Sequence, residues 1–418
     1  MDLISLGKKA KSASRVLARL STESKNEALK KIAETLRNNK ERILKANALD
    51  VKNGEEKELG PMIDRLMLNE ERIDGICDEC LNVSKLKDQV GKIIDESLSP
   101  IGLKMQRVRC PLGVVGMIYE SRPNVTVDAT VLCLKSGNSV MLRGGSDAIN
   151  SNRVFVELMK EALADTDVPV DAVSFVDSTD RAVVNEFLKM KDYLDVIIPR
   201  GGKGLIKAVT ENAHVPVIQT GASVVHIYVD KDFDLEKAVS IVENSKTRRV
   251  SICNALDTLL VHEDAAAELL PPLAEKLAAH FVEIRACKKA HTLLGDCERL
   301  RELDPATDFD TEFLDYIMAI KVVSGLDEAL DHIADHSLKH SESIVTEDEA
   351  NAKRFLKEVD SACVFWNAAT QFSDGAQFGL GAEIGISTQK LHVRGPFALE
   401  GLTSFKWNIH GNGQTRPL

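Results

Sequence analysis

One cysteine in this chain follows a run of basic residues and has the surroundings that a nucleophile needs. In "KTRRVSICNALDTLLVH" (246–262), Cys253 comes four, five and seven residues after Arg249, Arg248 and Lys246. Positive charge lowers the pKa of a thiol, and the thiolate is the reactive form. An unperturbed thiol, with a pKa of ~8.5, is only a few per cent ionised at neutral pH. A cysteine is also often a small buried hydrophobic residue, so the local pattern leaves both interpretations open.

Two glycine-rich turns each follow an expected strand and precede an expected helix. They are "LRGGSDAIN" (142–150) and "PRGGKGL" (199–205). Glycines allow a backbone to approach phosphate closely, and the N–H groups that open a helix favour an anion. Neither turn is a G-x-G-x-x-G or P-loop sequence, and a tight turn would explain the glycines equally well. Because both turns also carry arginine, together they favour a phosphate-bearing cofactor, with these candidate contacts: Arg143, Gly144, Gly145, Ser146, Arg200, Gly201 and Gly202.

A third glycine-rich stretch surrounds a single carboxylate. In "FGLGAEIGIST" (378–388), Glu383 lies among glycines. The stretch is either a flexible surface loop or a close-fitting loop in which Glu383 accepts hydrogen bonds from ribose hydroxyls.

The histidines and the remaining cysteines do not form a metal motif. His332, His336 and His340 are four residues apart, but the helix is expected to end before "SLKHSES", and H-E-x-x-H is absent. Cys77 and Cys80 form a lone C-x-x-C without a second ligand pair. We therefore predict no metal site.

The elements that must position these residues follow from hydrophobic periodicity. Residues 1 to about 95 predict helices, with Ser21 and Thr22 as candidate caps. From about residue 111, strands and helices alternate: strands at 112–119, 139–145, 172–177 and 194–202, and helices at 124–137 and 146–166. This alternation predicts a mostly parallel sheet covered by helices.

A second α/β region is expected from residue 224 onward. It contains predicted strands at 224–230, 258–262, 316–323, 343–348 and 362–367, and helices at 234–246, 264–281, 326–336 and 351–360. Pro271 and Pro272 should kink or split the helix at 264–281. The tail "LTSFKWNIHGNGQTRPL" predicts strand and turn.

Composition excludes several classes of protein. The chain has 418 residues, which is long enough for two or three domains. A net charge of −11 and only 5% aromatic residues argue against a nucleic-acid surface. No apolar run approaches the ~20 residues of a membrane-spanning helix, and no secretory signal begins the chain. Eight cysteines in so long a chain indicate reduced thiols in a cytoplasm.

Several of these stretches, in order along nearly the whole chain, resemble the gamma-glutamyl phosphate reductase family of the aldehyde dehydrogenase superfamily. They are "YESRPNVTVDA" (119–129), "LRGGSDA", "IPRGGKGLI", the Cys253 stretch, "HSESIVTED", and "FGLGAEIGISTQKLHVRGP" followed by "LEGLTSFKW". The resemblance implies an NADPH-dependent reduction of gamma-glutamyl phosphate to glutamate 5-semialdehyde and phosphate, in proline biosynthesis.

The same resemblance assigns roles to individual residues. Cys253 matches the nucleophilic cysteine of the family, which forms a thioester. Lys246, Arg248 and Arg249 would then hold the phosphate or carboxylate of the substrate and favour the thiolate. The Cys253 backbone N–H and the Asn124 side chain are candidate donors to the oxyanion.

An α/β, aldehyde dehydrogenase-like fold is also implied. We expect a Rossmann-like nucleotide-binding domain at 1–222, a catalytic α/β domain at 223–375, and a return to the first domain at 376–418. A small oligomerisation element would use strands near 97–110 and at the carboxyl terminus. We further expect a homo-oligomer, a dimer or tetramer, and functional coupling to glutamate 5-kinase.

The chain departs from the family pattern at a few positions. Ala222, Ser223 and Val225 replace a glycine pair and a cysteine, and Val250 replaces a proline ahead of the cysteine loop. Gln219 lies near the position where oxidising aldehyde dehydrogenases carry a general-base glutamate. An oxidising NAD-dependent aldehyde dehydrogenase and a non-catalytic protein of the same fold are the alternatives. The missing carboxylate at 219 disfavours the first, and the intact Cys253 disfavours the second.

Overall fold

Helices occupy the amino-terminal part of the chain. The computed structural model describes residues 2–60 and 62–416. Ser21 caps the second helix as predicted, since its hydroxyl oxygen accepts a hydrogen bond of 3.1 Å from the Ser24 N–H. The helices in this region are α1 Leu3–Leu17, α2 Thr22–Asn38, α3 Lys40–Glu56, α4 Met62–Leu66 and α5 Glu70–Lys85.

A small antiparallel sheet follows. Strands β1 Ile93–Leu98 and β2 Lys104–Pro111 pair with each other, and β2 also pairs with the strand Thr403–His410 from far along the chain. This sheet has the exposed apolar side chains of Phe405, Trp407 and Ile409 on one face. The role in assembly that we predicted for these strands stays a prediction.

The first parallel sheet carries both glycine turns at the ends of its strands. Its strands are β3 Val114–Tyr119, β4 Ser139–Gly144, β5 Val173–Phe175 and β6 Val196–Arg200, in the order β5-β4-β3-β6. Its helices are α6 Asn124–Lys135, α7 Ile149–Leu163, α8 Arg181–Leu188 and α9 Lys203–Asn212. The strands are almost entirely buried, as expected for a parallel sheet with helices on both faces.

A second parallel sheet positions Cys253. Its strands run in the order β10-β9-β11-β8-β7-β12-β13. They are β7 His226–Val229, β8 Thr258–His262, β9 Glu283–Ala286, β10 Leu300–Glu302, β11 Ile317–Val323, β12 Ser341–Val345 and β13 Cys363–Trp366. The accompanying helices are α10 Leu235–Thr247, α11 Glu263–Ala279, α12 Lys288–Leu294, α13 Leu326–His336 and α14 Glu349–Glu358.

Of the two outcomes predicted for Pro271 and Pro272, a kink or a split, the split was wrong. Both prolines lie inside α11, which runs unbroken from Glu263 to Ala279. Leu269, Leu270 and Leu273 are all buried in the core of the second sheet. Burial of this face on both sides of the prolines holds the two halves in one helix, although the proline nitrogens cannot donate hydrogen bonds.

The chain forms two compact units. The first contains residues 1–219, 380–385 and 397–418, and the second contains 220–379 and 386–396. The chain passes between them through two short paired strands, β14 Gly385–Ser387 and β15 Gly395–Phe397, and ends with β16 Thr403–His410.

Candidate active site

Cys253 lies in the second unit, in the loop that connects α10 to β8. Its side chain is partly exposed. The loop is turned back on itself, since Ala255 N–H donates to the Ile252 carbonyl at 3.1 Å and Leu256 N–H donates to the Ser245 carbonyl at 3.0 Å. Because the loop is short and closed by backbone hydrogen bonds, its thiol is held in place and is still accessible to a ligand.

A later segment of the same unit, residues 370–373, holds this loop in place, and we call this segment the clamp. Thr370 Oγ1 donates to the Asn254 carbonyl at 2.8 Å, and Asn254 Nδ2 donates to the Ser373 carbonyl at 3.0 Å. Gln371 Nε2 donates to the Ser245 carbonyl at 2.8 Å. All these groups are buried, so the backbone on both sides of Cys253 is fixed by hydrogen bonds that water does not weaken.

Ser223, at which the chain departs from the family pattern, contacts the backbone of Cys253. The hydroxyl of Ser223, which is fully buried, donates to the Cys253 carbonyl and lies 3.1 Å from Glu312 Oε1. Ser223 therefore adds a third anchor to the loop, from the segment that leads into β7.

The three basic residues upstream of Cys253 have different environments. Arg248 Nη1 donates to Gln371 Oε1 at 2.9 Å, which ties this guanidinium to the clamp. Arg249 has an exposed side chain, and only its carbonyl is used by the clamp, as an acceptor from Gln371 Nε2 at 3.3 Å. Arg249 is therefore the member of the run with the most freedom to meet an anion.

Lys246 is at odds with its predicted contact with substrate. It is completely buried, and its ammonium group donates to the Leu256 carbonyl at 2.9 Å. Burial lowers its pKa to about 8, against the opposing effect of Asp257. Burial also raises the pKa of Asp257 to about 6, although that carboxylate accepts hydrogen bonds from Phe313 N–H and Val225 N–H. Lys246 thus supports the far end of the cysteine loop from within the core.

Asn124 is the first residue of α6, in the first unit. Its Nδ2 donates to Asp128 Oδ2, one helical turn later, at 2.8 Å. Asn124 and the candidate cofactor residues belong to the first unit, whereas Cys253 and the basic run belong to the second.

Packing within the protein explains two of the glycines in the predicted cofactor turns. A Cβ atom at Gly144 would collide with Asn152 Nδ2, and one at Gly201 would collide with the Glu120 carboxylate. Glu120 Oε2 also accepts a hydrogen bond from Gly202 N–H at 2.8 Å. The Gly202 amide, predicted as a phosphate contact, is therefore already bound by a carboxylate of the same unit.

Arg143, at the end of β4, has unused hydrogen-bonding capacity. Its Nε is buried and has no hydrogen-bond partner among the described residues. Burial lowers the pKa of this guanidinium below its ordinary value. A buried donor without a partner is costly, so this position suits an anionic or hydroxyl-bearing ligand. Gly145 and Ser146 come next, and Ser146 is exposed at the start of a 3₁₀ turn.

The loop around Glu383 is close-fitting at one of its glycines, Gly381, and open at another, Gly379. Gly381 has a φ of +73°, and a Cβ atom there would collide with Leu86 of α5. Glu383, two residues later, is partly exposed and lies in the first unit with Arg143 and Arg200.

Sequence reasoning missed the residues that hold the functional side chains. Thr370 and Gln371 contact a loop more than a hundred positions earlier, and nothing in "NAATQFSDG" distinguishes them. Asp128 was open to prediction, since a residue four positions after Asn124 in a helix lies on the same face.

Fold and site together define an aldehyde dehydrogenase. A sequence profile of the aldehyde dehydrogenase family matches residues 2–290, and the chain belongs to that family. An acetylating aldehyde dehydrogenase from Geobacillus thermoglucosidasius has the same fold, with a TM-score of 0.68 and 18% identity over 100% of this chain and 98% of that one.

More similar relatives narrow the assignment. The chain is 48% identical to the gamma-glutamyl phosphate reductase of Clostridium tetani, over 99% of this chain and 98% of the relative. The crystal structure of gamma-glutamyl phosphate reductase from Thermotoga maritima matches with a TM-score of 0.97 and 48% identity, over the whole of both chains. The chain therefore belongs to the gamma-glutamyl phosphate reductase family, as the sequence motifs indicated. None of the described helices has the length and apolar character to cross a membrane.

The burial of Lys246 predicts a pH-dependent effect on stability. Folding lowers the pKa of Lys246 from its ordinary value of 10.5 to about 8. As the pH falls between these two values, the unfolded chain takes up a proton that the folded protein does not, so the free energy of unfolding decreases. Relative to the natural chain, Lys246→Met should therefore be more stable at pH 8 than at pH 10, by on the order of 2 kcal/mol. Urea unfolding at both pH values measures this. An equal difference at both would contradict a buried, titrating Lys246.

Arg249→Ala should change substrate binding and leave the free energy of unfolding nearly unchanged. Since its side chain is exposed, the free energy of unfolding should change by less than about 0.5 kcal/mol. If Arg249 meets the anionic substrate, KM for that substrate should rise roughly tenfold or more. Steady-state kinetics decides this, with Arg19→Ala, an exposed arginine in the turn between α1 and α2, as the control. Unchanged KM would show that the Arg249 charge serves another purpose.

Proposed function

We propose that this protein reduces gamma-glutamyl phosphate to glutamate 5-semialdehyde and phosphate, with NADPH, through a thioester on Cys253. The reaction is a step of proline biosynthesis. The observation that carries the proposal is the placement of a partly exposed Cys253 on a loop anchored on both sides by buried hydrogen bonds. Membership of the gamma-glutamyl phosphate reductase family supports the choice of substrate.

The chemistry requires a thiolate and an activated acyl group. The Cys253 sulfur attacks the acyl carbon, the bond from that carbon to the phosphate oxygen breaks, and inorganic phosphate leaves with the electron pair. Reduction of the thioester gives a tetrahedral adduct on sulfur, which collapses to the aldehyde and returns the thiolate. No water is activated in this sequence, which agrees with Gln219 in place of a carboxylate base.

Negative charge develops on the former carbonyl oxygen in both steps. The Cys253 backbone N–H and one Asn124 N–H are the proposed donors to it. A donor held rigidly before the reaction stabilises such charge without reorganising, and the clamped loop supplies that rigidity for the Cys253 N–H.

The basic run would receive the anionic groups of the substrate. Arg249 is exposed and Arg248 lies beside it, held by Gln371. We propose that Arg249 contacts the phosphate or the α-carboxylate and that Arg248 provides a fixed positive field near the thiol. Because Lys246 is buried, we assign it a structural role.

The first unit would hold the cofactor. NADPH, when bound, supplies the hydride. The buried Nε of Arg143, which has no hydrogen-bond partner among the described residues, fits a ribose or phosphate oxygen. Glu383, two residues after the closely packed Gly381, would accept hydrogen bonds from ribose hydroxyls. Ser146 and Arg200 are the further proposed contacts, as are the backbones at Gly144, Gly145 and Gly201. At Gly202 the N–H is occupied by Glu120, so only the backbone surface there is proposed to face the cofactor.

We also propose a homo-oligomer, a dimer or tetramer, in the cytoplasm, acting together with glutamate 5-kinase. The β1-β2-β16 sheet supports assembly, because Phe405, Trp407 and Ile409 are 46%, 51% and 58% exposed along one face. A row of exposed apolar side chains on a sheet is typical of an interaction surface.

The central test is the reaction run in reverse. Glutamate 5-semialdehyde and phosphate should reduce NADP, measured by absorbance, only when both are present. Cys253→Ala should lower kcat at least roughly a thousandfold with an unchanged unfolding midpoint. The matched control is Cys297→Ala, another partly exposed cysteine of the second unit, which should keep full activity. Substantial activity of Cys253→Ala would remove the nucleophile assignment.

Glu383 should act on the cofactor alone. Glu383→Ala should raise Kd for NADPH roughly tenfold while leaving the phosphate KM unchanged, because the proposed ribose contacts are lost. Fluorescence titration with NADPH measures this, and Glu400→Ala, a carboxylate elsewhere in the first unit, is the control. Unaltered NADPH affinity would exclude the ribose role.

Assembly should depend on one face of β16. Trp407→Lys places a charge among the exposed apolar side chains and should reduce the mass measured by light scattering. Asn408→Lys puts the same charge on the opposite face of the strand and should leave the mass unchanged. If both variants keep the natural mass, the apolar face is not the interface.

A further inference from the structure

Helix α6 reaches the surface at only two of its residues. From Val125 to Lys135 every residue except Asp128 is buried, and the first residue, Asn124, is partly exposed. These two positions are only partly exposed, lie one helical turn apart on one face, and are joined by the 2.8 Å hydrogen bond from Asn124 Nδ2 to Asp128 Oδ2. The proposed reaction uses Asn124 but assigns nothing to Asp128.

The hydrogen bond fixes which way the carboxamide of Asn124 faces. A carboxylate can only accept, so the nitrogen of the amide, and not its oxygen, must point to Asp128. The terminal torsion of an asparagine side chain is otherwise broad. With one N–H held by Asp128, the second N–H and Oδ1 have defined directions.

Asp128 has charged neighbours on two other elements. Its pKa is raised to about 7: burial raises it most and Glu79 of α5 adds to this, whereas the Asn124 hydrogen bond and Arg200 at the end of β6 oppose the increase. The thiol of Cys80, also on α5, faces the same carboxylate. Asp128 is thus an ionisable group placed between α5 and the second glycine turn.

We propose that Asp128 is a positioning residue, which holds the Asn124 carboxamide in one orientation and so fixes the direction of its second N–H. This inference rests on the proposed function, in which Asn124 is an oxyanion donor. A donor that is already oriented needs no reorganisation in the transition state, so the benefit appears in kcat and not in substrate affinity.

The ionisation state of Asp128 then affects the rate. The carboxylate accepts a charge-assisted hydrogen bond, which is stronger than the bond to a neutral acid. A protonated Asp128 can instead donate to Asn124 Oδ1, which turns the amide around. The rate should therefore rise with pH through about 7, as Asp128 loses its proton.

A double-mutant cycle in the phosphate-dependent oxidation of glutamate 5-semialdehyde tests the inference. Asp128→Ala should lower kcat about 10- to 100-fold with KM within about twofold. In an Asn124→Ala background the same change should have almost no further effect, because the residue that Asp128 positions is gone. Asp128→Asn keeps an acceptor oxygen and should retain more activity than Asp128→Ala. Unfolding midpoints of all variants establish that each is folded.

The pH profile supplies an independent readout. Asp128→Asn should abolish the inflection near pH 7, and Glu79→Gln should move it to lower pH, since Glu79 raises the pKa of Asp128. Additive effects of Asp128→Ala and Asn124→Ala, or a profile unchanged in both pH variants, would overturn the inference in an active enzyme. Absence of phosphate-dependent activity in the natural chain would overturn the proposed function, and this inference with it.

Discussion

The cysteine loop depends on a clamp made by residues distant in sequence. Thr370 and Gln371 lie on a 3₁₀ turn and hydrogen-bond to the backbone before and after Cys253, across separations of 116 and 126 residues. Because these hydrogen bonds are buried, breaking one leaves its donor and its acceptor without any partner, since water cannot reach them. The position of the thiol is therefore set by the fold of the whole second unit, and not by the ten residues around it.

The clamp also gives the three basic residues upstream of Cys253 different environments. Gln371 uses its amide nitrogen on the loop backbone and its oxygen on Arg248, so one side chain connects the loop to a fixed positive charge. Lys246 is directed into the core and Arg249 into solvent. Three cations that look equivalent in sequence thus differ in environment: Lys246 is buried, Arg248 is exposed but hydrogen-bonded to Gln371, and Arg249 is exposed.

The sequence predicted the architecture well and the details of the site less well. Alternating strands and helices indicated both parallel sheets, because buried strands and amphipathic helices leave strong periodic signals. We did not predict β9, α12 or β10, whose four, seven and three residues are too few to give a clear periodic signal. Lys246 could have been recognised as buried, since it continues the stripe of Ala238 and Val242 at four-residue steps. The contacts of Gln371, by contrast, depend on tertiary packing that leaves no local pattern.

The pairing of β2 with β16 has a consequence for how the molecule is made. Arg109 and Thr403, in neighbouring strands, are 294 residues apart in the chain, and the entire second unit is encoded between them. During synthesis on the ribosome, β2 has emerged long before its second partner exists. One edge of this central strand therefore presents unpaired backbone groups to other chains for most of the translation time. The three-stranded sheet can therefore be completed only after the whole second unit has been synthesised.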